Sequence, residues 1–295
     1  MSNHANRSAG AAIAGPTEDN HAAHDAPHAR HVHHAHPAHP AHPATSRATG
    51  APATAAGASS RAPSTASVRY PDAASLAERV GPAFSVDGML LARNKTREAI
   101  RNIAAQVRPG MCEEDAVAMA RRTLAAAGLE LSWHPTRVRF GRNTLKPMRQ
   151  PSEPGVVLAE NDLFFIDIAP RFDAWEGDGG ASFVVGEHAG YARCARDAEA
   201  LFHDVRAKWL RDGASGQALY AYADEVAQRM GWTLNFELPG HRVSDFPHAA
   251  IHTGTLADFE ATPSAMRWIL EIHLLDPQRR FGAFFEDMLL DDTYY

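Results

Sequence analysis

The chain has 295 residues, 45% of them hydrophobic, enough for one sizeable domain or two small ones. A formal net charge of −6 argues against a nucleic-acid surface, and no apolar run reaches the ~18 residues that would span a membrane. Only two cysteines occur, Cys112 and Cys194, without CxxC spacing and without a signal-peptide pattern upstream, so a reduced, cytoplasmic protein is expected.

Residues 1–70 are built of Ala, His, Pro, Ser, Thr and Gly, with no Leu, Phe or Trp. Such a segment cannot bury enough apolar surface to offset its ordering entropy, so it is expected to be a disordered tail. Ten of the 17 histidines lie in it, and its centre, His31–Pro43, repeats His-Pro-Ala. Metal scavenging and a neutral linker of biased composition both fit that pattern. The tail carries five Arg and three acids, which leaves −6 − 2 = −8 for the body, residues 71–295.

The body begins with a short helix expected over Ala73–Val80 and a long one over Val86–Val107, where Ile100, Ile103, Ala104 and Val107 form one apolar stripe. Arg108-Pro109-Gly110 stops it, and a second helix runs from Glu113 to Ala127, closed by Gly128. Leu129–Phe140 holds a strand, followed by the loop Gly141–Pro154. Arg137, Arg139, Arg142 and Lys146 in this region either face an anionic substrate end or are solvated. A similar helical pair recurs over Ala195–Leu210 and around Leu219–Val226, closed by Gly231. Gly110 to Gly128 and Gly213 to Gly231 are both 18 apart, and Ala118/Ala221 and Ala120/Ala223 fall in register, which points to an internal duplication.

Three apolar strands then carry interior acids. Leu163–Ala169 holds Asp167, Trp268–Leu275 holds Glu271, and Phe281–Leu290 holds Glu286 and Asp287. Past a turn at Arg171–Ala174, Asp178 stands at the head of a further strand, Ala181–Val185, making a hairpin with two carboxylates. A lone buried carboxylate is costly unless it is paired, protonated or metal-bound. Hard divalent ions take such oxygen ligands, often with one imidazole, for which His241 is the candidate.

The order Asp, eleven residues, Asp, then Gly-His, then two strand Glu resembles the pita-bread metallohydrolases: methionine aminopeptidase, aminopeptidase P, prolidase and creatinase. The resemblance spans roughly Val86 to Leu290. It implies an α+β pita-bread fold, two pseudo-symmetric αβ halves around a curved antiparallel sheet. It makes Asp167, Asp178, His241, Glu271 and Glu286 the ligands of two divalent ions (Mn, Co, Fe or Zn). Glu271 becomes ligand and proton shuttle, and His248, seven residues after His241, the substrate-contacting second histidine. The implied activity is that of a metallopeptidase, an aminopeptidase or X-Pro-type dipeptidase on a peptide substrate. A creatinase-like C–N hydrolase of a small molecule and a non-catalytic binding module are the alternatives, and a homodimer is compatible with either.

The walls depart from the pattern. Ala181-Ser182-Phe183 stands where relatives have Arg-Thr-Phe, Arg-Val-Ser follows His241, Ile-His follows Glu271, and only 15 residues separate Glu271 from Glu286. No N-terminal αβ domain like that of creatinase and prolidase is expected, unless the tail takes its place. The histidine that relatives carry about 17 residues before the first Asp ligand would fall near Gln150, whereas His134 lies 33 residues upstream. His134 is therefore read as a surface or packing residue that only a remodelled loop would return to the site.

Deleting residues 1–67 should leave the melting temperature and any turnover nearly unchanged at saturating metal. A truncated protein that fails to fold would move the domain boundary into the tail.

Overall fold

A computed structural model describes residues 76–129, 131–248 and 253–295. The tail expected over residues 1–70 and the start of the first expected helix lie outside the described residues. The described remainder of that helix is one 3-10 turn, Leu76–Glu78.

Helix α1 (Val86–Ala104) starts where the Ser85 hydroxyl accepts from the Gly88 N–H. Its apolar face buries Met89, Ala92, Ala99, Ile100 and Ile103. Helix α2 (Glu113–Ala126) follows, and the chain leaves it through Gly128 at φ 72°. The second pair is longer than its apolar period suggests. Helix α3 runs from Ala189 to Asp212, six residues ahead of the expected start, because His188 caps it by accepting from the Tyr191 N–H. Helix α4 (Gly216–Met230) is capped by Ser215 and ended by Gly231 at φ 81°.

The strands are β1 (Arg137–Phe140), β2 (Asp162–Ile168), β3 (Arg171–Phe172), β4 (Trp175–Glu176) and β5 (Gly179–Val185) in the first half. The second half holds β6 (Thr233–Leu234), β7 (His241–Arg242), β8 (Trp268–Leu275) and β9 (Gly282–Met288). The turn expected at Arg171–Ala174 is the tip of the β3–β4 hairpin, with Asp173 at φ 52°. The main sheet has seven strands in the order β1-β2-β5-β9-β8-β6, with β7 also on β8, and the pairings are antiparallel. Each half supplies two helices and then its strands, and the sheet order reads alike from either edge: β1 with β6, β2 with β8, β5 with β9. This is the α+β pita-bread architecture, and the duplicated helix pairs are its two halves.

The helices pack on one face only. Side chains alternate along a strand, so Phe164, Ile166 and Ile168 of β2 meet α1 and α2, while Leu270, Ile272 and Leu274 of β8 meet α3 and α4. The opposite side chains of these strands, Phe165, Asp167 and Glu271, look away from the helices, as do Phe284 and Glu286 of β9. The alternation also separates Glu286 from Asp287. Asp287 turns back to α1, where Arg93 donates two hydrogen bonds at 2.7 and 2.6 Å and Arg97 a third at 2.8 Å.

Asp287→Ala should strand Arg93 in the core and lower stability by about 3–5 kcal/mol in urea unfolding, as loss of one partner of a buried ion pair does.

Candidate metal centre

The sheet register aligns the acids. Asp167 lies opposite Gly180, Gly180 opposite Glu286, and Glu286 opposite Glu271, so one transverse row crosses β2, β5, β9 and β8. Gly180 keeps the middle of that row open, since a Cβ there would lie 2.5 Å from the Phe284 ring and 2.9 Å from Glu286 Oε1. Asp178, two residues before Gly180, points to the same side. His241 pairs with Ile269, two residues from Glu271, which puts its ring over the row's end. Its Nε2 lies 3.0 Å from Asp178 Oδ2 and 3.2 Å from Glu271 Oε1, while Nδ1 lies 2.8 Å from its partner, the Arg242 carbonyl. The five residues expected to gather are thus brought together.

His134 is the correction. It is not a surface or packing residue: its Nε2 lies 3.3 Å from Asp178 Oδ1 and 3.6 Å from Asp167 Oδ1. The cause is a bulge at the end of β1. Ser132 bridges Pro170 and Arg137 pairs with Asp167, so five steps on one side face three on the other. The surplus residues swing His134 across the face of the sheet. Distance along the chain misled because the long connection between β1 and β2 falls after the histidine, and register alone brings it to Asp167.

None of the four basic residues Arg137, Arg139, Arg142 and Lys146 lines the cleft; Arg142 is solvated, as the second alternative expected, whereas Arg139 and Lys146 are buried. Arg139 is buried and donates to the carbonyls of Asn143, Pro147, Met148 and Gln150. Arg137 donates to the Met148 carbonyl, and Arg142 and Lys146 pair with Glu153. They hold the loop closed.

Two further residues went unnoticed in the sequence. Glu176, fully buried, accepts from the backbone N–H of Ser244 and of His248 and pairs with His248 Nδ1. It fixes the His248 ring almost parallel to His241, with centroids 6.0 Å apart. Trp133 presents its ring edge-on to His134, His241 and His248 at 4.7, 5.1 and 4.8 Å, and its indole N–H donates to the Gly177 carbonyl. No periodic signal marks either residue; Glu176 lies between the turn expected at Arg171–Ala174 and Asp178. Trp133, the three histidines, Asp167, Glu271 and Glu286 line a cleft of about 270 Å³ that also reaches Met148, Arg149, Thr253 and Thr255.

The cluster's electrostatics call for cations. Asp167 Oδ1, Asp178 Oδ2, Glu271 Oε2 and Glu286 Oε1 are buried without a hydrogen-bond partner, although His241 Nε2 is close to Asp178 Oδ2. Burial, partly offset by His134 and reinforced by Asp178 and Glu271, pushes the Asp167 carboxyl up to about 7. Burial and the neighbouring Asp178, Asp167 and Glu271 drive Glu286 well above the carboxylate range. Burial alone would lower His134, but Asp178 and Asp167 outweigh it and raise the imidazole to about 9. His241 is likewise raised well above its ordinary value, with Asp178 and Glu271 overcoming burial. For Asp178, burial yields to His134 and His241, which hold it at about 2. Protons thus balance the charge of the metal-free cluster, and the oxygen-rich donor set with orphaned atoms fits divalent ions.

The fold and this donor set define a pita-bread protein with a candidate metal site. Residues 87–290 match the model of metallopeptidase family M24, and the chain belongs to that family. Among solved structures, the chain is similar to the X-Pro aminopeptidase of Thermotoga maritima, with 17% identity and TM-score 0.56 over 70% of this chain and 60% of that one. It is also similar to the prolidase of Pyrococcus horikoshii, with 17% identity and TM-score 0.57 over 70% and 58%. A third is the Xaa-Pro dipeptidase of Bacillus anthracis, with 14% identity and TM-score 0.57 over 74% and 61%. The chain therefore spans about 60% of the length of these structures. No curated protein matches it. Among the described residues, no helix is long and apolar enough to cross a membrane.

These shifts set the sign of a pH effect. Asp167 is raised from 3.8 to about 7 and His134 from 6.5 to about 9, so their stabilisation is present at low pH and lost as pH rises through those values. Asp178, lowered to about 2, contributes above 3.8 and loses its contribution below it. The metal-free protein should therefore weaken from about pH 4 to pH 9, while added metal, which displaces the protons, gains. In thermal unfolding, Mn, Co or Zn should raise the melting temperature more at pH 7.5 than at pH 5. No shift with any of them would remove the site.

Proposed function

We propose that this chain is a metal-dependent hydrolase, an aminopeptidase or X-Pro-type dipeptidase. Asp167, Asp178, His241, Glu271 and Glu286 would hold a dinuclear centre of Mn, Co, Fe or Zn. The observation that carries this reading is the set of four buried carboxylate oxygens without hydrogen-bond partners, three of them, on Asp167, Glu271 and Glu286, lining one cleft. When bound, two such ions supply a water acidic enough to lose its proton near neutral pH and a positive field for the scissile carbonyl.

The chain's own groups do the rest. Glu271 takes the proton of the attacking water and delivers it to the leaving amine, with one oxygen beside His241 and the other unengaged. His248 has Nδ1 committed to Glu176, and with both ring nitrogens protonated beside that carboxylate its Nε2–H would donate to the carbonyl oxygen as it gains negative charge. Trp133 packs against three imidazoles and keeps bulk water from that side. The cleft of about 270 Å³ lies at the small end of ligand sites, roughly 300–1,000 Å³, which suits a dipeptide or the end of a short peptide. The names of the similar structures, an X-Pro aminopeptidase, a prolidase and an Xaa-Pro dipeptidase, support proline-containing peptides as the first substrates to assay. The binding-module alternative rested on the lack of an upstream histidine, and His134 beside the acid row speaks against it.

Asp178→Ala and Glu286→Ala should lower metal content and dipeptide turnover together. His248→Ala should keep the metal while cutting turnover about 10²- to 10³-fold, the loss typical of one transition-state hydrogen-bond donor. Metal content by mass spectrometry beside turnover on an X-Pro panel decides. Loss of metal from His248→Ala would reverse the ligand assignment, and an inactive, fully metallated wild type would favour a binding role.

A further inference from the structure

We propose that His134 is a sixth protein ligand of the metal centre, binding the ion held by Asp167 and Asp178. The inference rests on the metal-site reading above and changes its composition to one imidazole for each ion. Three observations carry it.

The first is convergence. A His134 nitrogen and oxygens of Asp167 and Asp178 all lie within 4.8 Å of one another, and Asp178, His241 and Glu286 form a second such group. Asp178 is common to both, and its two oxygens face different histidines, Oδ1 towards His134 and Oδ2 towards His241.

The second is spacing. Two ligands about 2.1 Å from one ion, at tetrahedral or octahedral angles, stand about 3.0–3.4 Å apart. His241 stands 3.0 and 3.2 Å from its two carboxylate neighbours, and His134 3.3 and 3.6 Å from its own. Asp167 Oδ1, the oxygen nearer His134, has no hydrogen-bond partner.

The third is orientation. In both histidines Nδ1 meets a backbone carbonyl, Pro135 at 3.1 Å for His134 and Arg242 at 2.8 Å for His241. A ring whose Nδ1–H donates to a carbonyl presents the Nε2 lone pair to a metal, the usual arrangement of a ligating imidazole. Trp133 packs edge-on against both rings and holds them facing the acids. A second imidazole softens the donor set, which favours Co or Zn over Mn relative to a single-histidine cage.

The test compares full-length variants, all with the same histidine-rich tail, after chelator treatment and dialysis against cobalt(II) at a concentration that saturates wild type. Bound ions are counted by mass spectrometry, and the visible cobalt absorption reports ligation. His134→Ala should carry one ion fewer than wild type and lose that ion's absorption, while His248→Ala carries the wild-type number. Imidazole added to His134→Gly should restore both. If His134→Ala binds as many ions as wild type with an unchanged spectrum, His134 is not a ligand. If Asp178→Ala also matches wild type, the metal site itself is refuted, and with it this assignment.

Discussion

Four buried carboxylates meeting in one place are stable only with positive charge or protons among them, and much of this protein is arranged around that constraint. The acids come from strands whose other side chains are apolar and packed on helices, so none can turn away to solvent without undoing the core. Asp167, Glu271 and Glu286 are each buried to within 5% of full exposure loss. Without metal the balancing charge is carried by protons on His134, His241, Asp167 and Glu286, which divalent ions in the proposed centre would replace.

The two-halved sheet is what makes such a meeting affordable in structural terms. With the helices of both halves on one face, the other face of the central strands is left for chemistry. Gly180 opens the row at its centre, and Phe165, Phe284 and Leu238 form an apolar floor beside it. Charges that belong to stability go to the helix side, as Asp287 does with Arg93 and Arg97. Adjacent acids on β9 thus have opposite duties, decided by the two-residue period of a strand.

Around the acids, each imidazole is held by a partner on its far nitrogen. His241 and His134 use backbone carbonyls, whereas His248 uses the carboxylate of Glu176. That difference accords with their proposed tasks. A backbone carbonyl fixes the ring with Nε2 towards the acids, while a carboxylate also supports a ring that donates to developing negative charge.

By itself the sequence determined the helices, the buried strands and the expectation that their acids share a cation. An apolar period and an interior charge are local features, and the Asp-Asp-His-Glu-Glu order carried the family resemblance with them. The duplicated helix pairs were legible for the same reason, through glycines at equal spacing. Only the tertiary structure decided which groups complete the site. His134 reaches it through a bulge whose two surplus residues are visible only once Ser132 and Arg137 are paired with Pro170 and Asp167. Trp133 and Glu176 acquire their roles from neighbours more than forty and seventy residues away, Gly177 and His248. Composition and spacing record what a segment buries, but the partner across a sheet is set by register, and register exists only when the strands have met.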